Sequence, residues 1–74
     1  MIFKYNPEDF DNEEDKGYLK EMFIRAYDSV ERGDELDFTI FRTKILVELK
    51  MWWKGGVITK DYADEIADYL WRLM

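Results

Sequence analysis

The chain has 74 residues, a net charge of −6, and no cysteine or histidine. This length is enough for one domain, and without cysteine there is no disulfide framework. Stability must therefore come from apolar packing or from oligomerisation. Aromatic residues make up 18% of the chain, which supplies the large apolar side chains that a small core needs.

Charge is unevenly distributed along the chain. Residues 1–37 contain twelve acidic and five basic residues, whereas residues 38–74 contain five acidic and six basic ones. An acidic domain repels phosphate backbones, so nucleic acid is not the expected partner. The first residues do not form a signal-peptide pattern, and no apolar run approaches about 18 residues. We therefore expect no membrane association and a cytoplasmic location.

Residues 1–11 are predicted to form an extended N-terminal arm. Ile2–Tyr5 have strand-like composition, and Asn6 is biased away from helical backbone angles because it precedes Pro7. The alternative is that this region caps a single helical turn. In either case three aromatic residues of the arm are expected to cover the helices, namely Phe3, Tyr5 and Phe10.

The first helix is predicted at about residues 13–32. Asn12 is a suitable N-cap, and Gly33 suits the left-handed position that follows a helix. At 100° per residue, one half of the helical wheel is apolar and predicts the core face. It consists of Tyr18, Leu19, Met22, Phe23, Ala26, Tyr27 and Val30.

The second helix is predicted at about residues 36–54, with Asp34 or Asp37 as its cap and Gly55-Gly56 as its end. It has two apolar faces. One is a stripe of Phe38, Phe41, Ile45, Leu49 and Trp52, extended by Leu46 and Trp53. The other lies roughly 120 to 180° away and consists of Ile40, Val47 and Met51. We expect this second stripe to be covered by another helix, by the arm or by a second subunit.

The third helix is predicted at about residues 60–73, with Thr59 as its cap. Its apolar face predicts packing against the second helix across the Gly55-Gly56 turn. The segment from Leu46 to Leu73 resembles the helix, Gly-Ile-Thr turn and helix of many small bacterial and phage helical domains. The fold class is therefore all-α, a small three-helix bundle with an extended N-terminal arm and a C-terminal helical hairpin.

The sequence lacks the residue types on which most nucleophilic and general-base catalysis depends. Without histidine or cysteine, no Ser-His or Cys-His pair exists. An acidic pair such as Asp64 and Asp68 is more typical of a solvated helix face than of a metal site. An EF-hand calcium loop with Gly17 at its sixth position would place Lys16 and Phe23 at ligand positions. Neither side chain can bind calcium, so this interpretation fails. We therefore predict no enzyme activity, no cofactor and no metal.

The third helix carries an acidic face, and carboxylates three or four residues apart can imitate a phosphate backbone. Trp53 and Trp71 lie at the rims of their helix faces, where tryptophan often concentrates binding energy. The predicted partner-binding residues are Asp61, Asp64, Glu65, Asp68, Trp53 and Trp71. The resulting hypothesis is a small acidic regulator or inhibitor that binds a larger protein, in a bacterium or a phage-infected cell.

Two alternatives remain open. The first is a homodimer that buries the stripe of Ile40, Val47 and Met51 against its copy. The second is a nucleic-acid-binding domain led by the second helix, which carries four basic residues beside two tryptophans. These basic residues scatter around the wheel, and Arg42 and Lys50 are expected to face the acidic residues of the first helix.

Overall fold

The computed structural model describes residues 3–11 and 17–74. They form three α-helices, α1 (Tyr18–Arg32), α2 (Glu35–Lys54) and α3 (Lys60–Arg72), preceded by a short 3₁₀ turn at Pro7–Phe10. Within these residues there is no strand. The predicted all-α fold, a small three-helix bundle, is confirmed.

α1 begins at Tyr18, five residues later than predicted. Gly17 stands immediately before it with φ of 81°, a left-handed conformation that a right-handed helix cannot continue through. The predicted cap Asn12 and residues 13–16 lie outside the described residues. The other end agrees with the prediction, because Gly33 has φ of 72° and its N–H donates to the carbonyl oxygens of the last turn.

The C-terminal hairpin has the predicted caps. The Asp34 carboxylate accepts a hydrogen bond from the Asp37 N–H at 3.1 Å, so Asp34 rather than Asp37 caps α2. The turn passes through Gly56, whose φ is 79°. Thr59 Oγ1 then accepts a hydrogen bond from the Tyr62 N–H at 3.1 Å and starts α3.

α2 is the central element of the bundle. It packs against both α1 and α3, whereas in the described structure no Cα atom of α1 lies within 8 Å of a Cα atom of α3. The buried side chains come from all three helices and from the arm. The largest fully buried apolar ones are Phe10, Leu19, Phe23, Phe38, Ile45, Ile66 and Leu70.

The N-terminal arm bridges α1 and α3. Phe3 stacks on Tyr27 of α1 with ring centroids 3.9 Å apart, and Tyr5 meets Tyr69 of α3 edge-on at 5.0 Å. The buried Tyr27 hydroxyl donates to the Tyr5 carbonyl oxygen at 2.8 Å, and burial raises the Tyr27 pKa. Residues 7–10 adopt the single turn given as the alternative, and Phe10 packs into the core as expected.

Candidate protein-interaction surfaces

The acidic face of α3 is largely neutralised within the chain. Asp64 pairs with Lys60 at 2.9 Å, and Asp68 pairs with Arg72 at 3.1 Å, each one helical turn away. Such exposed pairs stabilise a helix little, but they place a cation beside each carboxylate. Asp61 is exposed. The face therefore presents alternating charges rather than a row of free carboxylates.

Glu65 has a structural role. Its Oε1 accepts hydrogen bonds from Lys4 Nζ at 2.9 Å and from the Tyr5 hydroxyl at 2.8 Å. The Lys4 hydrogen bond, together with the one from Tyr5, holds the pKa of Glu65 below its ordinary value. This carboxylate, which we predicted to bind a partner, joins α3 to the N-terminal arm.

A groove of about 200 Å³ runs between α2 and α3. Its lining is apolar where the helices meet and charged at two points, Lys50 on α2 and Asp64 on α3. Ala63 and Ala67 are one turn apart on α3, and their small side chains leave the groove open. The remaining lining residues are Leu46, Leu49 and Trp53.

A tryptophan lies toward each end of this groove, and a cationic side chain lies over each indole ring. Lys60 Nζ lies 5.6 Å from the ring centroid of Trp53, near the hairpin turn. At the other end, one helical turn beyond Ala67, Trp71 is 58% exposed and Arg42 lies 3.8 Å from its ring centroid. Both distances are typical of cation–π contacts.

Arg42 departs from its predicted position. It was expected to face the acidic residues of α1, but its guanidinium lies over Trp71 of α3 and, at 5.5 Å, over Phe38. Its Nε atom is buried and donates no hydrogen bond within the described structure. No ion pair among the described residues includes it, so the guanidinium remains able to bind a carboxylate.

The predicted site residues are thus divided. Trp53 and Asp64 line the groove and Trp71 stands at its end, whereas Glu65 holds the arm and Asp61 and Asp68 lie outside the groove lining. Sequence reasoning missed the groove residues Leu46, Leu49, Lys50, Ala63 and Ala67. The available signal was the pair of alanines one turn apart on an apolar face, where larger side chains are usual.

The second apolar stripe of α2 is exposed. Ile40 is 45% exposed, Val47 54% and Met51 60%, and Leu36 continues the stripe at 73%. None of the layers proposed within the chain covers it, because α1, α3 and the arm pack on the opposite half of α2. Leu36 was missed because it stands at the predicted helix start, where the wheel pattern is not yet established.

No described helix combines the length and the apolar character that membrane spanning requires. Within residues 3–11 and 17–74, no three acidic side chains converge in a way that suits a metal ion. Comparisons with protein families, with curated proteins and with solved structures found no match for this chain.

Proposed function

We propose that this protein is a non-catalytic protein-interaction module that binds an amphipathic, acidic segment of another protein in the groove between α2 and α3. The observation that supports this most is the groove itself, an apolar floor with a cation-capped tryptophan toward each end. Tryptophan and arginine are the side chains that most often dominate binding energy at protein interfaces.

The charge of the groove indicates the chemistry of the segment. The molecule as a whole is acidic, with a net charge of −6, yet Lys50 lines this groove and Arg42 lies over the tryptophan toward one end of it. Lys60, over the other tryptophan, already pairs with Asp64, the acidic lining residue. Opposite charges across an interface steer association and fix its register. Apolar side chains of the segment would occupy the floor, and its carboxylates would meet these cations.

The size of the groove favours a protein segment over an enclosed substrate. Sites for small molecules usually have about 300 to 1,000 Å³, and this groove has about 200 Å³. That volume suits one or two side chains of a partner. In this proposal the protein is a regulator or inhibitor of a larger protein, acting in the cytoplasm of a bacterium or of a phage-infected cell.

The geometry favours the groove over the acidic face as the partner-binding surface. A DNA-mimicking surface needs carboxylates that are free to meet a basic cleft. Asp64, Glu65 and Asp68 each have a cation of this chain within 3.1 Å. A nucleic-acid ligand for the same groove is the competing outcome, since cations beside tryptophans also suit stacked bases.

Selection from a displayed peptide library against the purified protein tests the proposal. We expect enriched peptides to share apolar residues at helical spacing flanked by Asp or Glu. Lys50→Glu should weaken their binding more than tenfold, which corresponds to about 1.4 kcal/mol. Lys44→Glu is the matched control, because it makes the same charge change on the same helix outside the groove lining.

Ala67→Glu is a second variant, which places a carboxylate in the floor of the groove and should also abolish binding. Enrichment of basic peptides would overturn the proposal, as would equal binding to the Lys50→Glu and Lys44→Glu proteins. Binding of a single-stranded oligonucleotide at about 50 mM salt, lost in Lys50→Glu, would replace the protein segment with nucleic acid.

A further inference from the structure

The exposed stripe of α2 has a symmetric spacing. Its four residues, Leu36, Ile40, Val47 and Met51, are separated by four, seven and four positions. At 100° per residue all four fall within an arc of about 60°. The spacing of apolar positions is therefore the same from either end of the stripe. Its midpoint lies between Thr43 and Lys44.

We propose that this stripe is the interface of a homodimer in which α2 packs antiparallel against α2 of a second copy. A two-fold axis at the midpoint of the stripe brings Leu36 to Met51 of the second copy and Ile40 to Val47 of the second copy. An interface with two-fold symmetry must be self-complementary. The symmetric spacing satisfies that requirement without any rearrangement of the helix.

The charges of α2 select the antiparallel orientation. Three acidic residues, Asp34, Glu35 and Asp37, stand at its N-terminal end, and Lys54 lies in its last turn. Arg32 pairs with Asp34 and Asp37 but leaves an excess of negative charge at that end. Antiparallel packing places the acidic end of each helix beside the basic end of the other, and it also opposes the two helix dipoles favourably. Parallel packing would place like charges together at both ends.

The stripe predicts a dimer of moderate strength. It extends over 15 residues, about 22 Å at 1.5 Å per residue, and presents four apolar side chains per copy. Stable dimers bury about 800 Å² on each partner, more than one narrow seam supplies. Thr43 and Lys44 also leave the centre of the seam polar. We expect a dissociation constant in the micromolar range.

Sedimentation equilibrium over a range of concentrations tests the dimer. The wild type should change from monomer to dimer as its concentration rises, and Val47→Glu should weaken the dimer more than tenfold. Ile24→Glu is the matched control, since it replaces a similarly exposed apolar residue, 43% exposed, on α1. Thr43→Leu should strengthen the dimer, because it adds an apolar side chain beside the two-fold axis.

Disulfide formation tests the orientation, and the absence of native cysteine makes it simple to read. An Ile40→Cys chain and a Val47→Cys chain are mixed and oxidised. The antiparallel dimer predicts disulfides mainly between the two different chains. Disulfides mainly between identical chains would overturn the orientation.

A wild type that stays monomeric at millimolar concentration would overturn the dimer itself, as would equal dimerisation of Val47→Glu and Ile24→Glu. The stripe and the groove share no residue. Loss of the dimer therefore leaves peptide binding by the groove intact, and the two proposals fail independently.

Discussion

Glu65 shows how a residue's partners decide its role. In the folded molecule its carboxylate accepts hydrogen bonds from Lys4 and from the Tyr5 hydroxyl. The Lys4 N–H in turn donates to the Tyr69 hydroxyl of α3 at 2.9 Å. Together they tie the first described residues to the middle of α3. A carboxylate that looks free in the sequence is thereby used to hold the arm in place.

The Glu65 cluster predicts an acid-dependent loss of stability. The folded pKa of Glu65 lies below its ordinary value of 4.5. Its stabilising contribution is therefore complete above that pH and is lost as the pH falls through the lower folded value. Glu65→Gln does not titrate, so it should lose less unfolding free energy between about pH 5 and pH 2 in urea titrations than the wild type.

A second variant separates the carboxylate from its donors. Tyr5→Phe keeps Glu65 and removes the hydrogen bond from the Tyr5 hydroxyl, so its acid dependence should fall between those of the wild type and Glu65→Gln. Identical acid dependence in all three proteins would contradict the role assigned to this carboxylate.

Arg42 illustrates the limit of charge reasoning at single residues. Opposite charge in α1 suggested an ion pair, but the guanidinium lies over two aromatic rings instead. Both arrangements suit arginine, which pairs with carboxylates and also stacks on aromatic rings. The choice depended on where α3 places Trp71, and that position is a property of the assembled bundle.

At the scale of elements, helix ends followed from local chemistry. Two side chains cap the N-termini of helices as predicted, those of Asp34 and Thr59. Two glycines, Gly33 and Gly56, adopt left-handed angles in the turns that follow helices. The start of α1 differed because Gly17 adopts a left-handed conformation beside Asp11, whose carboxylate lies 3.3 Å from the position of an added Cβ. The low helix propensity of glycine does not by itself predict this left-handed conformation.

Substitution of Gly56 in the hairpin turn should measurably lower the free energy of unfolding. An added Cβ meets nothing within 4 Å, so the cost of Gly56→Ala comes from the positive φ alone, about 1 kcal/mol of unfolding free energy. Gly56→Asn should cost less, because asparagine tolerates left-handed angles better. Urea denaturation of the two variants checks the order, and an alanine variant as stable as the wild type would contradict it.

At the scale of the whole molecule, the bundle is completed by its arm. No Cα atom of α1 lies within 8 Å of one of α3 in the described structure. Phe3 and Phe10 of the arm pack against α1, and Tyr5 packs against α3. Phe10 stacks on Phe23 with ring centroids 4.3 Å apart and is only 2% exposed. The described part of the arm, residues 3–11, therefore contributes to the same hydrophobic core as the helices.

Removal of the Phe10 ring should destabilise the whole domain. Phe10→Ala is expected to lower the unfolding free energy by about 3 to 5 kcal/mol, a large part of the roughly 4 to 11 kcal/mol expected for this length. Ile24→Ala, at an exposed site on α1, should change it by about 0.5 kcal/mol. Chemical denaturation followed by tryptophan fluorescence gives both values, and similar losses in the two variants would refute the packing role of the arm.

The fold class, the three helices and most of their ends could be read from the sequence, because caps, glycines and apolar periodicity act over a few neighbouring residues. The two apolar faces of α2 were visible for the same reason. Which face became the core was decided by tertiary packing, since α1, α3 and the arm all lie on one side of that helix.

The candidate surfaces were likewise only partly present in the sequence. Trp53, Trp71 and the stripe were recognised as unusual apolar residues, but the groove required Ala63 and Ala67 to face Leu46 and Lys50 across two helices. Three of the acidic residues of α3, Asp64, Glu65 and Asp68, each pair with a cation of this chain. Local periodicity determined which side chains share a helix face, and only the packing of residues distant in sequence decided which faces remain exposed to a partner.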